Sequence, residues 1–513
     1  MTATSNARSD EQGKIWILVS ICLAALVLPM SFTGGAVARP AIGHELGGTA
    51  VQLTWITNAF MLTFGSLLMA AGALADQYGR KRLFTLGTGL FTLTSLAQGF
   101  APSVPWLDVL RALQGVAGAA ALASGSAALA QEFEGHAQTR AFSMLGTTFG
   151  IGLAFGPLLS GVLIESFGWR AIFFATAALG ALSMVFGLPR MRETRDPGAT
   201  GLDWPGTLTF TGTLATFTFG VIQGPESGWG SPLVIALLVS SALLLAAFIA
   251  VENRVARPML DLSLFRIPRF VGVQILPLGT CYCYIVLVVI LPLRFIGIEG
   301  MSEIEAGWMM LALSAPMLVV PFLAASLTRW FSPGLLSGVG FLISAVGLQW
   351  FSRANVGASG ASVIVPMLLI GIGAGLPWGL MDGLAIGVVP KERAGMATGI
   401  FNTARVAGEG VALAIVSAIL ASLAQQYLMQ AAPTALPGLA SAAQQVAAGD
   451  LAHASVALPE VSRETLVAGY AKAFELLLHI LTGITILSSL AVFAFLSRNA
   501  TQDAATEVLE AGH

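Results

Sequence analysis

Residues 51–82 read VQLTWITNAFMLTFGSLLMAAGALADQYGRKR. The run from Val51 to Ala75 is apolar and long enough to cross a hydrocarbon layer of about 30 Å, and it ends in a polar turn. Gly72 and Gly79 permit a tight turn, and Asp76 can cap a helix start or pair with a cation. The cluster Arg80-Lys81-Arg82 holds the turn on the cytoplasmic side of a membrane. A span, a cytoplasmic turn and the start of a second span are therefore written in one stretch.

The rest of the chain follows the same pattern. Of its 513 residues 56% are hydrophobic and 10% charged, against about 25% charged in a soluble domain. Further apolar windows, such as Ile15 to Val37 and Leu233 to Val251, recur along the chain, whereas a secretory signal peptide would explain one window only. Gly is abundant at 58 residues and lies inside the windows, where it lets helices approach closely. Cys22, Cys281 and Cys283 sit in apolar segments, and they supply neither a disulfide framework nor a four-ligand metal site. The net charge of −2 says little, because in a membrane protein the distribution of charge carries the information.

Fourteen candidate spans run from one polar break to the next: 15–38, 51–75, 83–103, 106–130, 139–164, 170–189, 205–223, 232–252, 271–295, 307–328, 334–352, 362–389, 397–423 and 468–496. With the N-terminus in the cytoplasm, 17 of the 25 Lys and Arg residues fall inside, among them Arg8, Lys391, Arg393 and Arg498. Arg39, Arg170, Arg294, Arg353, Arg463 and Lys472 fall at the outer ends, and Arg111 and Arg405 within spans. Dropping one helix would invert every later basic loop, so an even number with both termini inside is the consistent solution.

The expected fold is all-α and polytopic, 14 transmembrane helices grouped 6+2+6. Residues 1–14 form a cytoplasmic tail, 15–190 a six-helix bundle, 191–204 a linker and 205–252 an inserted hairpin. Residues 253–270 form a cytoplasmic loop, 271–497 a second six-helix bundle with an outer loop at 424–467, and 498–513 a cytoplasmic tail.

Two spans carry further signals. The fourth contains Leu110-Arg111-Ala-Leu-Gln114-Gly115, with an arginine about 9 Å inside the outer boundary. A charge there costs several kcal/mol unless paired or hydrated, so Arg111 faces the bundle interior or pairs locally with Asp108. In the fifth, Gly150-Ile-Gly152-Leu-Ala-Phe-Gly156-Pro157-Leu-Leu-Ser160-Gly161 presents a flat, bent helix face that would serve close packing in any membrane protein.

The string from Gly72 to Arg82 resembles the signature loop of the major facilitator superfamily. That resemblance implies that Asp76 and Arg80 latch one bundle to the other in an outward-open state; without it the loop would read as an ordinary basic turn. It also implies a link between Arg111 and proton transfer. The fifth-span string is similar to the motif that marks antiporters of the superfamily, with Ser160 in place of one of the paired glycines, and so points to export. Trp55-Ile-Thr-Asn58, Trp169-Arg170-Ala-Ile-Phe173-Phe174, Pro258-Met-Leu-Asp261-Leu-Ser-Leu-Phe265 and Arg393-Ala-Gly-Met-Ala-Thr-Gly399 look like the fourteen-helix drug:proton antiporter branch. That branch opens with an acid in the first span, but here Ser31 takes the acidic position, Ala36 the amide position and Arg39 the leucine position.

The first span therefore offers no carboxylate to carry a proton. Glu409, Asp382 and Asp108 are the remaining acids, and Glu409 leads because it lies about 18 Å into the thirteenth span with Arg405 one turn earlier on the same face. The alternative is a permanent Glu409–Arg405 ion pair that fixes helix register. Ser31, Trp55, Asn58 and Gln114 are cavity candidates. His479 is expected to pack rather than to relay protons, and Arg39, near the outer mouth, to snorkel to the headgroups rather than to attract anionic substrates. Met309, Met310, Met317 and Met367 suit a pliable cavity and an ordinary core equally.

No P-loop and no zinc-binding His-Glu-x-x-His string occurs. The expected function is export of small, drug-like molecules in exchange for protons by alternating access, with a symporter, a facilitator or a non-transporting receptor as rivals. A small-molecule substrate, protons and the bilayer are the expected partners, a periplasmic adaptor protein is a candidate, and no nucleic acid, metal or cofactor is implied. The chain is expected to act as a monomer in a bacterial plasma membrane.

Overall fold

A computed structural model of the chain describes residues 2–133, 135–195, 203–255, 258, 260, 262–358, 360–388, 394–431 and 438–496. Side chains are described from residue 13 on, apart from 135, 136, 138–140, 143, 154, 226, 386, 387 and 394–398. Expectations placed on the Arg8 side chain, on Asp261, Lys391, Arg393 and Arg498, and on residues 196–202 of the linker fall outside what is described.

Among the described residues the fold is helical, without strands, and fourteen long helical segments overlie the fourteen candidate spans. They are α1 (Thr2–Leu46), α2 (Ala50–Tyr78), α3 (Arg80–Gln98), α4 (Val104–Glu132), α5 (Gly135–Phe167), α6 (Arg170–Gly187), α7 (Trp204–Ser227) and α8 (Pro232–Glu252). After a 3-10 turn at Leu262–Arg266 come α9 (Pro268–Ile298), α10 (Glu303–Leu327), α11 (Pro333–Phe351), α12 (Ala361–Gly387) and α13 (Ala394–Ala431). Two short helices, α14 (Leu439–Ala447) and α15 (Leu451–Ala457), precede α16 (Arg463–Leu496). Eleven of the long segments are apolar and long enough to cross a membrane, and α5 makes a twelfth if its two parts, bent by 45°, are one span.

Local chemistry sets the ends. Thr49 caps α2 and exchanges hydrogen bonds with Gln52, and Ser302 does the same for α10 with Glu305. Between α2 and α3 the chain reverses through Gly79, whose φ of 114° is a conformation that side chains disfavour.

α9 departs most from the expected regular helix. Its turns Cys281–Ile285 and Leu293–Ile298 are π-helical, and Pro277 and Pro292 lie just before them. Each proline removes a ladder N–H and crowds the preceding turn, and a widened turn accommodates the mismatch. α10 likewise breaks at Ala315–Pro316. The outer segment after α13 folds as α14 and α15, which pack on α13, α7 and α16.

Packing arranges α1–α6 around one another and α9–α13 with α16 around one another. The two groups meet where α5 crosses α10 and where α2 crosses α13; α7 pairs with α8 and lies against both α2 and α13. At the α2–α13 crossing a Cβ on Gly65 would stand 2.6 Å from Ala407 Cα, so backbone lies on backbone. At the end of the molecule opposite the basic α2–α3 turn, Gly161 of α5 touches the Glu303 carbonyl, and the Ile304 amide donates to Glu165 at 3.4 Å.

Candidate functional site

Four buried helices converge on Arg111. Its side chain is fully buried; Nε donates to the Ile56 carbonyl at 2.7 Å, and one terminal nitrogen donates to Ser31 Oγ at 2.7 Å and to Gln114 Oε1 at 2.6 Å. Gln114 donates in turn to Ser95 Oγ at 2.7 Å, which donates to the Phe91 carbonyl at 2.7 Å. The guanidinium lies over the Phe60 ring at 4.6 Å. Gly35 makes room for it: a Cβ there would sit 3.1 Å from Nη2.

The local Arg111–Asp108 pair offered as the alternative does not form among the described residues. Burial makes the carbonyl and amide partners closer to hand, and Asp108 Oδ1 is itself buried with no hydrogen-bond partner.

Of the other cavity candidates, Ser31 and Gln114 join this network. Asn58 is fully buried with both amide atoms unpartnered. Trp55 points elsewhere, edge-on to Phe219 of α7 at 5.7 Å, so it packs the hairpin onto α2.

Glu409 is 7% exposed on α13 at the seam between the two helix groups. The flanking glycines pack to either side: a Cβ at Gly410 would lie 3.2 Å from Met61 of α2 across the seam, and one at Gly408 would lie 3.1 Å from Leu278 of α9 within its own group.

The expected Glu409–Arg405 partnership is corrected by the geometry. Arg405 turns away and donates to Asp382 on α12 at 3.3 Å and to Asn402 at 2.9 Å, with Trp378, Phe401 and Phe149 around its guanidinium. Those rings and the 60% exposed Asp382 carboxylate give the cation a better-hydrated place than the seam offers. Among the described residues Glu409 has no ion pair within 4 Å, and Arg405 acts on it through space only.

The turn from Gly72 to Arg82 is closed on itself. Arg80 pairs with Asp76 at 2.7 Å, and Glu193 accepts from the Lys81 and Arg82 amides at 3.2 Å each, placing a carboxylate on the N-terminus of α3. The Arg80 amide donates to the Thr194 carbonyl at 2.9 Å. Glu193 was not foreseen; the available sign was a lone acid in the basic string Arg190-Met-Arg192-Glu193-Thr-Arg195. A Cβ at Gly72 would meet nothing within 4 Å.

In α5 the glycine face divides its work. Gly152 packs on α1, where a Cβ would lie 2.8 Å from the Leu26 carbonyl, and Gly156 touches Thr33 of α1. Gly161 reaches α10, so the segment around Pro157 links its own bundle to the other one.

Two further expectations change, those for Arg39 and His479. Arg39 does not snorkel: it is 4% exposed and donates to Thr54 at 3.1 Å. Arg294, near the end of its span, is a buried partner of Glu299 at 2.7 Å, over the rings of Phe351 and Phe474. Met310, Met317 and Met367 are buried in the main core. His479 is exposed, 3.5 Å from Ser352 Oγ.

Comparison with known proteins is consistent along the chain. Residues 21–413 match the family model described as Major Facilitator Superfamily. The chain is 32% identical over 390 residues to the multidrug resistance protein Stp of Mycobacterium tuberculosis, covering 75% of this chain and 72% of that protein. It is 32% identical over 424 residues to a puromycin resistance protein of Streptomyces alboniger, covering 80% and 83%. It is 33% identical over 416 residues to the cephamycin export protein CmcT of Amycolatopsis lactamdurans, covering 79% and 85%. In fold it resembles a bacterial homologue of the human lysosomal transporter Spinster, with a TM-score of 0.65 at 15% identity over 95% of this chain and 97% of that one.

Proposed function

The chain belongs to the Major Facilitator Superfamily and is a multi-pass membrane transporter of the drug-efflux type rather than an enzyme, and from that premise we propose that it exports drug-like small molecules in exchange for protons. The single observation that carries this reading is Glu409: a carboxylate 7% exposed, at the seam between the two helix groups, with no ion pair to it among the described residues. A buried acid without a fixed cation partner is free to gain and lose a proton as the seam opens to one side and then the other.

Two six-helix bundles, 15–190 and 271–497, rock about this seam, and the hairpin 205–252 lies beside it. The contacts of Gly161 and Glu165 with α10 close the outer end, while the exposed Asp382 and the open surroundings of Gly72 and Gly383 belong to an inner end facing the cytoplasm. Both chain termini lie on that inner side. In this state the latch residues Asp76 and Arg80 pair with each other, and they exchange partners when the inner end shuts.

The substrate class rests on relatives named for multidrug resistance, puromycin resistance and cephamycin export. Because Ser31 stands at the usual acidic position and Arg111 keeps its charge against neutral partners, the interior beside α1 carries a cation without a carboxylate partner and favours neutral or anionic drugs over cationic ones.

Dye and antibiotic efflux in proteoliposomes, with and without an imposed pH gradient, tests the proposal. Accumulation against the gradient only when the pH difference is present supports exchange. Equal equilibration in both conditions points to a facilitator, and no movement to a receptor that has lost transport.

A further inference from the structure

Arg39 does not share in the Glu409 chemistry, and its surroundings are unusual for a buried guanidinium. An arginine keeps its charge in a protein and presents five N–H donors. Here the side chain is 4% exposed, the bond it makes among the described residues goes to the neutral hydroxyl of Thr54, and Nε is buried with no partner. The two other buried arginines are treated differently: Arg294 has its own carboxylate, Glu299, and Arg111 donates to three acceptors.

The nearest acid does not resolve this. Asp108 acts through space on both Arg39 and Arg111 without hydrogen-bonding to either, so one negative charge serves two positive ones and a unit of positive charge is left over. A buried charge lacking compensation costs several kcal/mol.

Arg39 also lines a cavity of about 40 Å³. Its walls come from several parts of the fold: Thr54 of α2, Ile222 of α7, Leu293 of α9, Ser417 of α13 and Gln444 of α14. The donors available to a guest are the guanidinium, the Ser417 hydroxyl and the Gln444 amide, since the Thr54 proton goes to the Ala50 carbonyl, and among the described residues no acid lines the cavity. A void needs about 10–15 Å³ by this measure to hold one water, so the space fits one monatomic anion with a water. It is far below the roughly 300 Å³ that a drug-sized ligand needs.

We propose that this cavity is a binding site for a chloride-sized monovalent anion, held by Arg39 and by the hydroxyl of Ser417 and the amide of Gln444, with Thr54, whose own proton goes to the Ala50 carbonyl, fixing the guanidinium. The anion neutralises the surplus charge and ties the outer ends of α1, α2, α9 and α13 to the hairpin and to α14. It is a structural ligand, separate from the exported substrate and from the proton.

The test uses the purified full-length protein and follows its thermal unfolding midpoint as chloride or bromide replaces gluconate at constant ionic strength. The wild type is expected to gain several degrees, saturably, with chloride and bromide. Arg39→Leu is expected to show no such gain. A flat response in the wild type, or an equal response in Arg39→Leu, overturns the proposal. Should Arg39→Leu fail to fold, chlorine NMR on the wild type decides: line broadening competed by bromide supports the site, and its absence refutes it. Efflux activity is not the readout, so failure here is distinguishable from failure of proton-coupled export.

Discussion

Arg405 reaches across to Asp382, 3.3 Å away on the neighbouring helix α12, and leaves Glu409, one turn along its own helix, without an ion pair among the described residues. The relationship separates two roles that a single i,i+4 pair would have merged. One acid anchors the arginine, and the other is the acid proposed to exchange the proton.

Asp382→Asn and Arg405→Gln should therefore behave as one unit. Each lowers energised export, and the double variant is no worse than the more damaged single one. Because the Asp382 carboxylate is 60% exposed, the pair is worth under about 1 kcal/mol to folding, and unfolding midpoints should move little. A double-mutant cycle on export rate and midpoint checks this; additive losses would show that the two residues act apart.

Arg111 depends on geometry as well as on charge. Arg111→Lys cannot span the Ile56 carbonyl, Ser31 and Gln114 together, and it should cut export at least about tenfold, the effect of 1.4 kcal/mol. Ser31→Asp supplies the missing carboxylate beside the guanidinium; it should fold, and should shift preference toward cationic substrates. Competition assays between a cationic dye and an anionic antibiotic read this out, and an unchanged preference would remove Ser31 from substrate selection.

Close contact at Gly161 makes a steric prediction with an internal control. Gly161→Val collides with the Glu303 backbone of α10, whereas a side chain at Gly146, on the same helix, meets nothing within 4 Å. Gly161→Val should open the outer end and raise labelling of a cysteine introduced at Ile304 by an impermeant reagent, while Gly146→Val leaves labelling unchanged. Equal labelling in both would mean that α5 and α10 do not form the outer closure.

Glu193 caps α3 through two amide bonds. Glu193→Ala should lower stability by about 1 kcal/mol, the usual worth of an N-terminal cap with a favourable charge. Glu193→Gln, which keeps the acceptor, should lose less. Thermal unfolding of the two variants checks the order, and a larger loss for Gln would contradict the capping role.

The periodic apolar windows and the basic loops made the helices legible from sequence, because hydrocarbon thickness and charge placement act on every span independently. The glycines of α5 and the Gly72–Arg82 turn were legible for the same reason: small residues and a charge cluster have local consequences. Partner choice was not. Arg405 sees Glu409 at the right helical spacing, yet Asp382 lies 23 positions earlier in the chain and only folding brings it near. Arg39 sits near a span end, where position alone suggests snorkelling, and the packing of α7, α9 and α14 around it buries it. Proline at Pro277 and Pro292 was visible, but the widened turns that follow depend on how neighbouring helices absorb the mismatch.

Proton release on substrate binding by the purified carrier, in weakly buffered solution with a pH indicator, tests the central claim most directly. Glu409 as the exchanging acid predicts stoichiometric release in the wild type and none in Glu409→Gln, with substrate still bound by the variant. Undiminished release from Glu409→Gln, or no release from a wild type that binds substrate, would contradict it.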